Sequence, residues 1–309
     1  MGFLIPHSKE ALKRMCKDIQ LNPEQMERDV KTLKEWLKNQ PHLPHDALDD
    51  TMLGSFLTGS KNSLQRAKQC IDKYLTNRLT VPEIYGNRDL ADEEILQSCK
   101  VIRFFPIPEA TPEGYRVVIC CIKNQDPQEF VYLPFIKRCL CSGDVLLQVE
   151  PHQAGVYYVY DLKGMSFMHM TKLNPAMSKR FIHCGEASMP LRTKGVFIIN
   201  APAITETLLS MFKPLLKPKS QERIQVFSGD HTSLYKFIPQ DTLPDEYGGK
   251  AGKMEDLENS WIKYMMQFND WFLQDSKRTV DESKRPEKSA YKPTQLFGVE
   301  GSFKTLCLD

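Results

Sequence analysis

The side chains best able to do chemistry are seven histidines and nine cysteines, and their spacing matches no catalytic or metal-binding pattern. No two cysteines form a CxxC pair, and Cys139 and Cys141 flank a single leucine. His42 and His45 stand close together, but no cysteine or carboxylate pattern joins them at ligand spacing. The sequence therefore predicts reduced core cysteines, no metal site and no cofactor.

The signatures of common enzyme classes are also missing, because the sequence contains no GxGxxG, GxxxxGK[ST], HExxH or GxSxG. The GMS segment at 164–166 begins like a nucleophile elbow, but Met168 stands where the second glycine belongs. His169 and His183 fall in or beside helical segments, at no spacing that suggests a base paired with a nucleophile. We therefore expect a protein that is not an enzyme.

The first 80 residues predict helices. Asn22 can cap a helix that starts at Pro23, and Ser63 can cap another. Apolar residues at helical spacing follow each start: Met26, Val30, Leu33 and Leu37 in the first helix, and Leu64, Ala67, Ile71, Tyr74 and Leu75 in the second. Because each apolar stripe needs a partner surface, we expect a small helical domain packed on a larger unit.

From about residue 100, apolar runs alternate with helical segments. The runs typical of buried strands are Val117–Ile122, Val156–Tyr160, Val196–Ile199 and Ile224–Phe227. Helical segments are expected at about 128–149, 171–187 and 203–213, and a last long helix carries Leu257, Trp261, Met265, Phe268 and Phe272. The alternation predicts an α/β fold with a mainly parallel sheet and crossover helices.

Charge and composition limit the classes of molecule that the protein could bind. Lys plus Arg is 41 and Asp plus Glu is 39, so the net charge is 41 − 39 = +2, and no global charge favours nucleic acid. Apolar stretches are under half the length of a membrane span, and residues 1–10 lack the pattern of a signal peptide. Residues 276–295 combine six basic and three acidic residues with two prolines, which predicts a disordered tail.

Four segments together resemble one known family. They are DLKGMS at 161–166, IINAP at 198–202, FKPLL at 212–216 and LPDEYGG at 243–249. The chain resembles the CRAL-TRIO lipid-binding family, and within it the branch that holds α-tocopherol transfer protein and cellular retinaldehyde-binding protein. Residues 53–75 are similar to the helical leader of that family.

The resemblance implies three parts of the chain. Residues 1–88 would form the N-terminal helical domain, residues 89–252 the lipid-binding domain, and residues 253–309 a C-terminal helix and the disordered tail. In this family the parallel sheet is the floor of an apolar cavity, and a mobile helix after the IIN segment closes it.

The resemblance also implies which residues hold the ligand. The pocket would be lined by Phe135, Val156, Tyr158, Tyr160, Phe167, Phe181, Cys184, Leu191, Val196 and Ile198. The lid would be formed by Ile204, Leu208 and Met211, which repeat at helical spacing between Pro202 and Pro214. A stripe of this kind can cover a lipid pocket or lie on an anionic membrane surface.

Basic residues near the lid imply a second function for the same region. By resemblance, Arg192, Lys219 and Arg223 match three of the four basic residues that bind a phosphoinositide head group. Ser60 stands at the fourth position with Lys61 beside it, and Lys194 adds a charge to the same cleft, so we expect Lys61 and Lys194 to contribute to binding.

The sequence therefore predicts a cytoplasmic monomer that carries one tocopherol-like or retinoid-like lipid. We expect it to exchange that lipid during transient contact with membranes. Two alternatives are a phosphoinositide-presenting or signalling module, in which the lipid is a regulator, and an enzyme acting on a lipid.

Overall fold

Local capping signals start the N-terminal helices where the sequence predicts them. The side chain of Asn22 accepts a hydrogen bond from the Glu24 backbone N–H, with Pro23 in the first helical position. Ser63 caps the second predicted helix in the same way, by accepting from the Arg66 N–H. Each cap satisfies a backbone donor that has no partner within the helix.

The protein is described by a computed structural model that covers residues 2–286. The α-helices are α1 (Lys9–Asp18), α2 (Pro23–Lys38), α3 (Asp50–Gly59), α4 (Leu64–Thr80), α5 (Pro82–Tyr85), α6 (Glu93–Val101), α7 (Tyr132–Val149), α8 (Phe167–Thr171), α9 (Pro175–Ala187), α10 (Thr205–Phe212), α11 (Pro218–Gln221), α12 (Met254–Met265) and α13 (Asn269–Asp275). The predicted last long helix is therefore divided into α12 and α13, because a 3₁₀ turn separates them.

The strands form one sheet in the order in which they occur along the chain. They are β1 (Ile102–Pro106), β2 (Tyr115–Ile122), β3 (Gly155–Asp161), β4 (Thr193–Ile199) and β5 (Ile224–Val226). Strands β2 to β5 are parallel neighbours, and β1 pairs antiparallel with β2. This confirms the predicted α/β class with a mainly parallel sheet, while β1 is a strand that the sequence analysis did not identify.

The two faces of the sheet differ in how tightly they are covered. On the closed face, Val117, Ile119, Val159 and Phe197 are almost fully buried and pack with α12 residues such as Trp261. On the opposite face, Val118, Val156 and Ile198 are buried, but five of their neighbours are only partly buried: Cys120, Tyr158, Tyr160, Val196 and Ile224. We call this second face the open face.

The helical domain is joined to the rest of the protein by buried charges. Arg88 pairs with Asp144 of α7 and with Asp275 of α13, and all three side chains are fully buried. Arg78 of α4 also donates to Asp275, at 2.8 Å. Since a buried charge is stable only when paired, this network holds α4, α7 and α13 in one arrangement.

The start of the predicted disordered tail is packed on the helical domain. Val280 is buried, and Arg285 donates to Asp72 of α4 at 2.6 Å. The prediction of disorder over 276–295 therefore does not hold for residues 276–286, because the apolar side chain of Val280 and ion pairs of Arg278 and Arg285 dock them. Residues 287–295 of that prediction, with the rest of the chain to 309, lie outside the described residues.

Candidate functional site

Two stacked tyrosines occupy the middle of the open face. Tyr158 and Tyr160 of β3 have ring centroids 6.4 Å apart and an interplanar angle of 24°. Both rings are partly exposed, although β3 lies between β2 and β4. Burial nonetheless raises the pKa of both phenols, so the surrounding protein withdraws them from bulk water. The two rings are therefore covered by protein without being completely buried.

Most of the predicted lining residues meet at this face. Phe135, Tyr158, Phe181 and Leu191 pack against one buried cluster that contains Val156. Strand register extends the same surface, because Val196 is the β4 partner of Tyr158 and Ile198 is the partner of Tyr160. Side chains of paired residues in a sheet lie on the same face, so this set forms one apolar floor.

Two predicted lining residues lie elsewhere. Cys184 is fully buried on the side of α9 that packs on the helical domain, and burial raises the pKa of its thiol to about 12. Cys184 is therefore a core residue and does not face the open space, which corrects the prediction. Phe167 is 63% exposed on the short helix α8, so it does not contribute to the floor in this conformation.

Helix α10, which carries the predicted lid residues, lies beside a cavity. Ile204, just before the helix, is partly buried, Leu208 is 8% exposed and Met211 is 36% exposed. The cavity has a volume of about 420 Å³ between the start of α9 and the end of α10, and is lined by Pro175, Ala176, Ser178, Lys179, Met211, Phe212 and Leu215. Its walls are mainly apolar, as expected of a small-molecule site.

Several residues missed in the sequence connect this cavity with the floor. Ser178 lines the cavity, and its Oγ lies 2.6 Å from the hydroxyl oxygen of Tyr132. Tyr132 and Phe135 pack together with Cys120 of β2 around a second small cluster. The alternation of side chains along a strand would have indicated Cys120, since it shares the face of Val118. The Ser178–Tyr132 contact had no signal in the sequence.

Three of the four segments that carry the family resemblance meet at one carboxylate. Asp161, at the end of β3, accepts hydrogen bonds from Asn200 Nδ2 and from the Tyr247 hydroxyl, each at 2.8 Å. Asn200 has a φ of 49°, in the left-handed region, directly before the chain turns toward α10. Asp161 thus holds the backbone bend from which the predicted lid begins.

The structure places a serine and a histidine in contact, which the sequence analysis did not expect. Ser166 Oγ lies 2.8 Å from His169 Nδ1, and the Ser166 backbone N–H also donates to that nitrogen. The pair is a capping box at the start of α8. Burial lowers the pKa of His169, and among residues 2–286 its Nε2 has no hydrogen-bond partner that would orient the ring. The contact between Ser166 and His169 therefore stabilises the start of helix α8.

Three of the predicted head-group residues come together at the beginning of β4 and β5. Arg192 and Lys194 both reach the carboxylate of Asp18, Lys194 with a separation of 3.6 Å. Arg223 donates to the Thr193 carbonyl. Burial and the positive charges of Arg192 and Arg223 lower the pKa of Lys194. We call Arg192, Lys194 and Arg223 the basic cleft, and Asp18 is an acidic neighbour that the sequence did not reveal.

The other two predicted basic residues lie at the margin of this region. Lys61 is exposed in the turn after α3, where a Cβ atom on Gly59 would collide with the Pro190 carbonyl, so the helical domain approaches the start of β4 closely. Asn62 donates to the Gln20 carbonyl at 3.1 Å, which places this turn near Asp18. Lys219 is exposed on α11, and no contact joins it to the basic cleft.

Neither a metal-binding cluster nor a membrane-spanning helix occurs within the described residues. Within residues 2–286 no cluster of three or more histidine, cysteine or carboxylate side chains could hold a metal ion. Over the same part of the chain, none of the helices has both the length and the apolar character needed to span a membrane.

Comparisons with known proteins agree with this geometry. Residues 102–249 match the family model of the CRAL/TRIO domain, and residues 22–95 match that of a Pinta-like, UBA domain. Alpha-tocopherol transfer protein-like of Mus musculus is 27% identical over 276 residues, 89% of this chain and 79% of that protein. Clavesin-2 of Homo sapiens is 23% identical over 288 residues, 92% of this chain and 86% of that protein.

Among solved structures, the crystal structure of Sfh5 is 13% identical, the match covers 87% of this chain and 98% of that chain, and the TM-score is 0.49. The CRAL/TRIO match runs from β1 to the glycine pair that follows Tyr247. It therefore includes the whole sheet, the open face, α10 and the basic cleft. The family match therefore shows that the chain contains a CRAL/TRIO domain at residues 102–249.

Proposed function

We propose that the protein is an intracellular carrier that binds one tocopherol-like or retinoid-like lipid above the open face and exchanges it at phosphoinositide-containing membranes. The observation that carries this proposal is the pair Tyr158 and Tyr160, which are partly exposed in the middle of a sheet and yet withdrawn from bulk water. An apolar ligand would complete the burial of these two rings.

The energy of such burial is sufficient for tight binding. Removing roughly 400 Å² of apolar ligand surface from water, at ~25 cal/mol/Å², contributes about 10 kcal/mol before costs are subtracted. Loss of ligand motion and ordering of side chains reduce this value. Submicromolar affinity for a neutral lipid is consistent with this balance, and the tyrosine hydroxyls can each bind one polar atom of the ligand.

Exposed apolar side chains near the cavity support exchange at membranes. Phe167 and Met168 on α8 are 63% and 48% exposed, and Met211 on α10 is 36% exposed. Exposed basic residues lie next to both groups, Lys172 after α8 and Lys213 after α10. Apolar side chains flanked by lysines are typical of surfaces that lie at the interface of an anionic membrane.

The first experiment tests whether α10 controls exchange. We expect the double substitution Leu208→Asp and Met211→Asp to slow transfer of a fluorescent tocopherol analogue between vesicles by about tenfold or more, because charges resist entering an apolar interface. Thr207→Asp with Ser210→Asp is the matched control, since both side chains are already polar and exposed on the same helix. Equal transfer rates for the two double variants would contradict a role for this face of α10.

The second experiment tests the basic cleft. We expect Arg192→Ala with Arg223→Ala to weaken binding to phosphoinositide-containing vesicles by about tenfold, since guanidinium groups bind phosphate oxygens with two hydrogen bonds. The difference from wild type should shrink as salt is raised, because ions screen the attraction. Binding of the apolar lipid in solution should persist, because the cleft and the open face are separate surfaces.

The control for this experiment removes the same charge elsewhere. Arg28→Ala with Arg66→Ala changes two exposed arginines on α2 and α4, and vesicle binding should remain near the wild-type value. Unchanged vesicle binding by the cleft variant would refute phosphoinositide recognition there. Transfer assays also separate the carrier from a signalling module, since only a carrier moves lipid between vesicles repeatedly.

A further inference from the structure

A second group of basic side chains lies along α9, apart from the basic cleft. Lys179 lines the cavity beside α10, and His183 follows one helical turn later on the same side of α9. Residues four apart on a helix are neighbours on its surface. Glu186, a further three positions along, continues the same stripe toward the end of the helix.

Helix α4 contributes a second lysine to this stripe. Cys70 donates to the carbonyl of Ser188, and Asn77 donates to the hydroxyl of the same residue. Both contacts are made by the face of α4 that packs on the end of α9. Lys73 lies three positions after Cys70 and four before Asn77, so it belongs to that face.

The segment after α10 contributes a third lysine. The backbone N–H of Lys217 donates to the Glu186 carboxylate at 3.1 Å, and its ammonium group donates to the Glu186 carbonyl. Burial, together with the charges of Lys73, Lys217 and Lys179, lowers the pKa of His183, which agrees with a shared electropositive surface. We call Lys73, Lys179 and Lys217 the α9 lysines.

We propose that the α9 lysines bind the oxyanion head of an amphiphilic lipid whose hydrocarbon tail occupies the cavity between α9 and α10. The cavity is mainly apolar, and Lys179 is the one charged residue among those that line it. An ammonium group at the rim of an apolar cavity marks the boundary where a tail ends and a charged head begins. Carboxylate and phosphate heads share the chemistry that three lysines recognise.

This inference rests on the proposed carrier function and changes its preferred cargo. A neutral tocopherol-like or retinoid-like lipid has no charge for the α9 lysines to bind, whereas an acidic lipid would engage these lysines and the cavity together. The basic cleft is a separate site from the α9 lysines. Arg192 and Lys194 reach Asp18, and Arg223 contacts Thr193. Lys217, by contrast, is docked on α9 through Glu186.

The test compares ligands that differ only in the head group. Purified full-length protein is titrated with oleic acid, oleyl phosphate and oleyl alcohol, each in competition with a fluorescent lipid. We expect one of the acids to bind at least about tenfold more tightly than the alcohol, which corresponds to roughly 1.4 kcal/mol. The stronger of the two acids identifies the head group as carboxylate or phosphate.

Variants then assign the preference to the α9 lysines. Lys73→Gln, Lys179→Gln and Lys217→Gln combined should abolish the preference and leave alcohol binding unchanged. The matched control is Lys31→Gln, Lys100→Gln and Lys236→Gln combined, which removes three exposed lysines from α2, α6 and the segment between β5 and α12 and should keep the preference. If the triple variant binds none of the ligands, Lys179→Gln alone replaces it.

The outcomes separate this inference from the carrier proposal. Equal affinity of the wild-type protein for acid and alcohol would refute the acidic head group and leave the carrier intact. A preference that survives in the α9 variant, or in Lys179→Gln when that variant replaces it, would overturn the assignment to these lysines. If the fluorescent lipid binds but none of the oleyl compounds displaces it, this inference is refuted and the carrier proposal stands. A protein that does not bind the fluorescent lipid either would refute both.

Discussion

Replacement of Asp275 by alanine should reduce the free energy of unfolding by about 3–5 kcal/mol, because it leaves buried positive charges without their partner. Arg78 and Arg88 both donate to this carboxylate, and all three side chains are almost completely inaccessible to water. Asp144 still pairs with Arg88, but its other oxygen accepts from the Tyr74 hydroxyl at 2.8 Å and it does not reach Arg78.

Urea denaturation followed by circular dichroism measures this loss. The control is Asp241→Ala, which removes a carboxylate paired with Lys250 where both side chains are at least 70% exposed. That variant should lie within about 0.5 kcal/mol of the wild-type protein, since exposed ion pairs contribute little. A loss as small for Asp275→Ala as for Asp241→Ala would mean that the network does not hold α13 on the helical domain.

Replacement of Val196 by tryptophan should weaken binding of a fluorescent tocopherol or retinoid analogue by about 100-fold or more while the fold persists. Val196 is partly exposed on the open face, beside Tyr158 in the strand register. The indole ring would occupy the space that the lipid needs. Cys184, predicted from the family resemblance to line the pocket, is unsuitable for this test because a large ring there would disrupt the core.

Equilibrium titration with the fluorescent analogue gives the affinity, and thermal unfolding reports whether the variant is folded. Leu79→Trp is the control, because Leu79 is 49% exposed on α4 and the same ring there displaces nothing. Both variants should unfold cooperatively near the wild-type temperature. Normal ligand affinity of a folded Val196→Trp variant would show that the lipid does not lie on the open face.

The sequence by itself determined the elements that depend on neighbouring residues. Helices α2 and α4 begin where Asn22 and Ser63 predict, because a cap acts on backbone groups within three residues. The parallel strands were recognisable as apolar runs, since strands covered on both faces need apolar residues throughout. Strand β1 was missed because its five residues end at a proline and carry little periodicity.

Only the tertiary structure decided which side of each element faces the ligand. On α9, Phe181 faces the open space, whereas Cys184, three residues later, belongs to the interdomain core. Helix α1 places Asp18 beside Arg192, and α4 places Lys73 beside α9. Both contacts join residues more than a hundred positions apart. Helical and strand periods reveal that a face is apolar or charged, but its partner is set by packing between distant segments, which local patterns do not record.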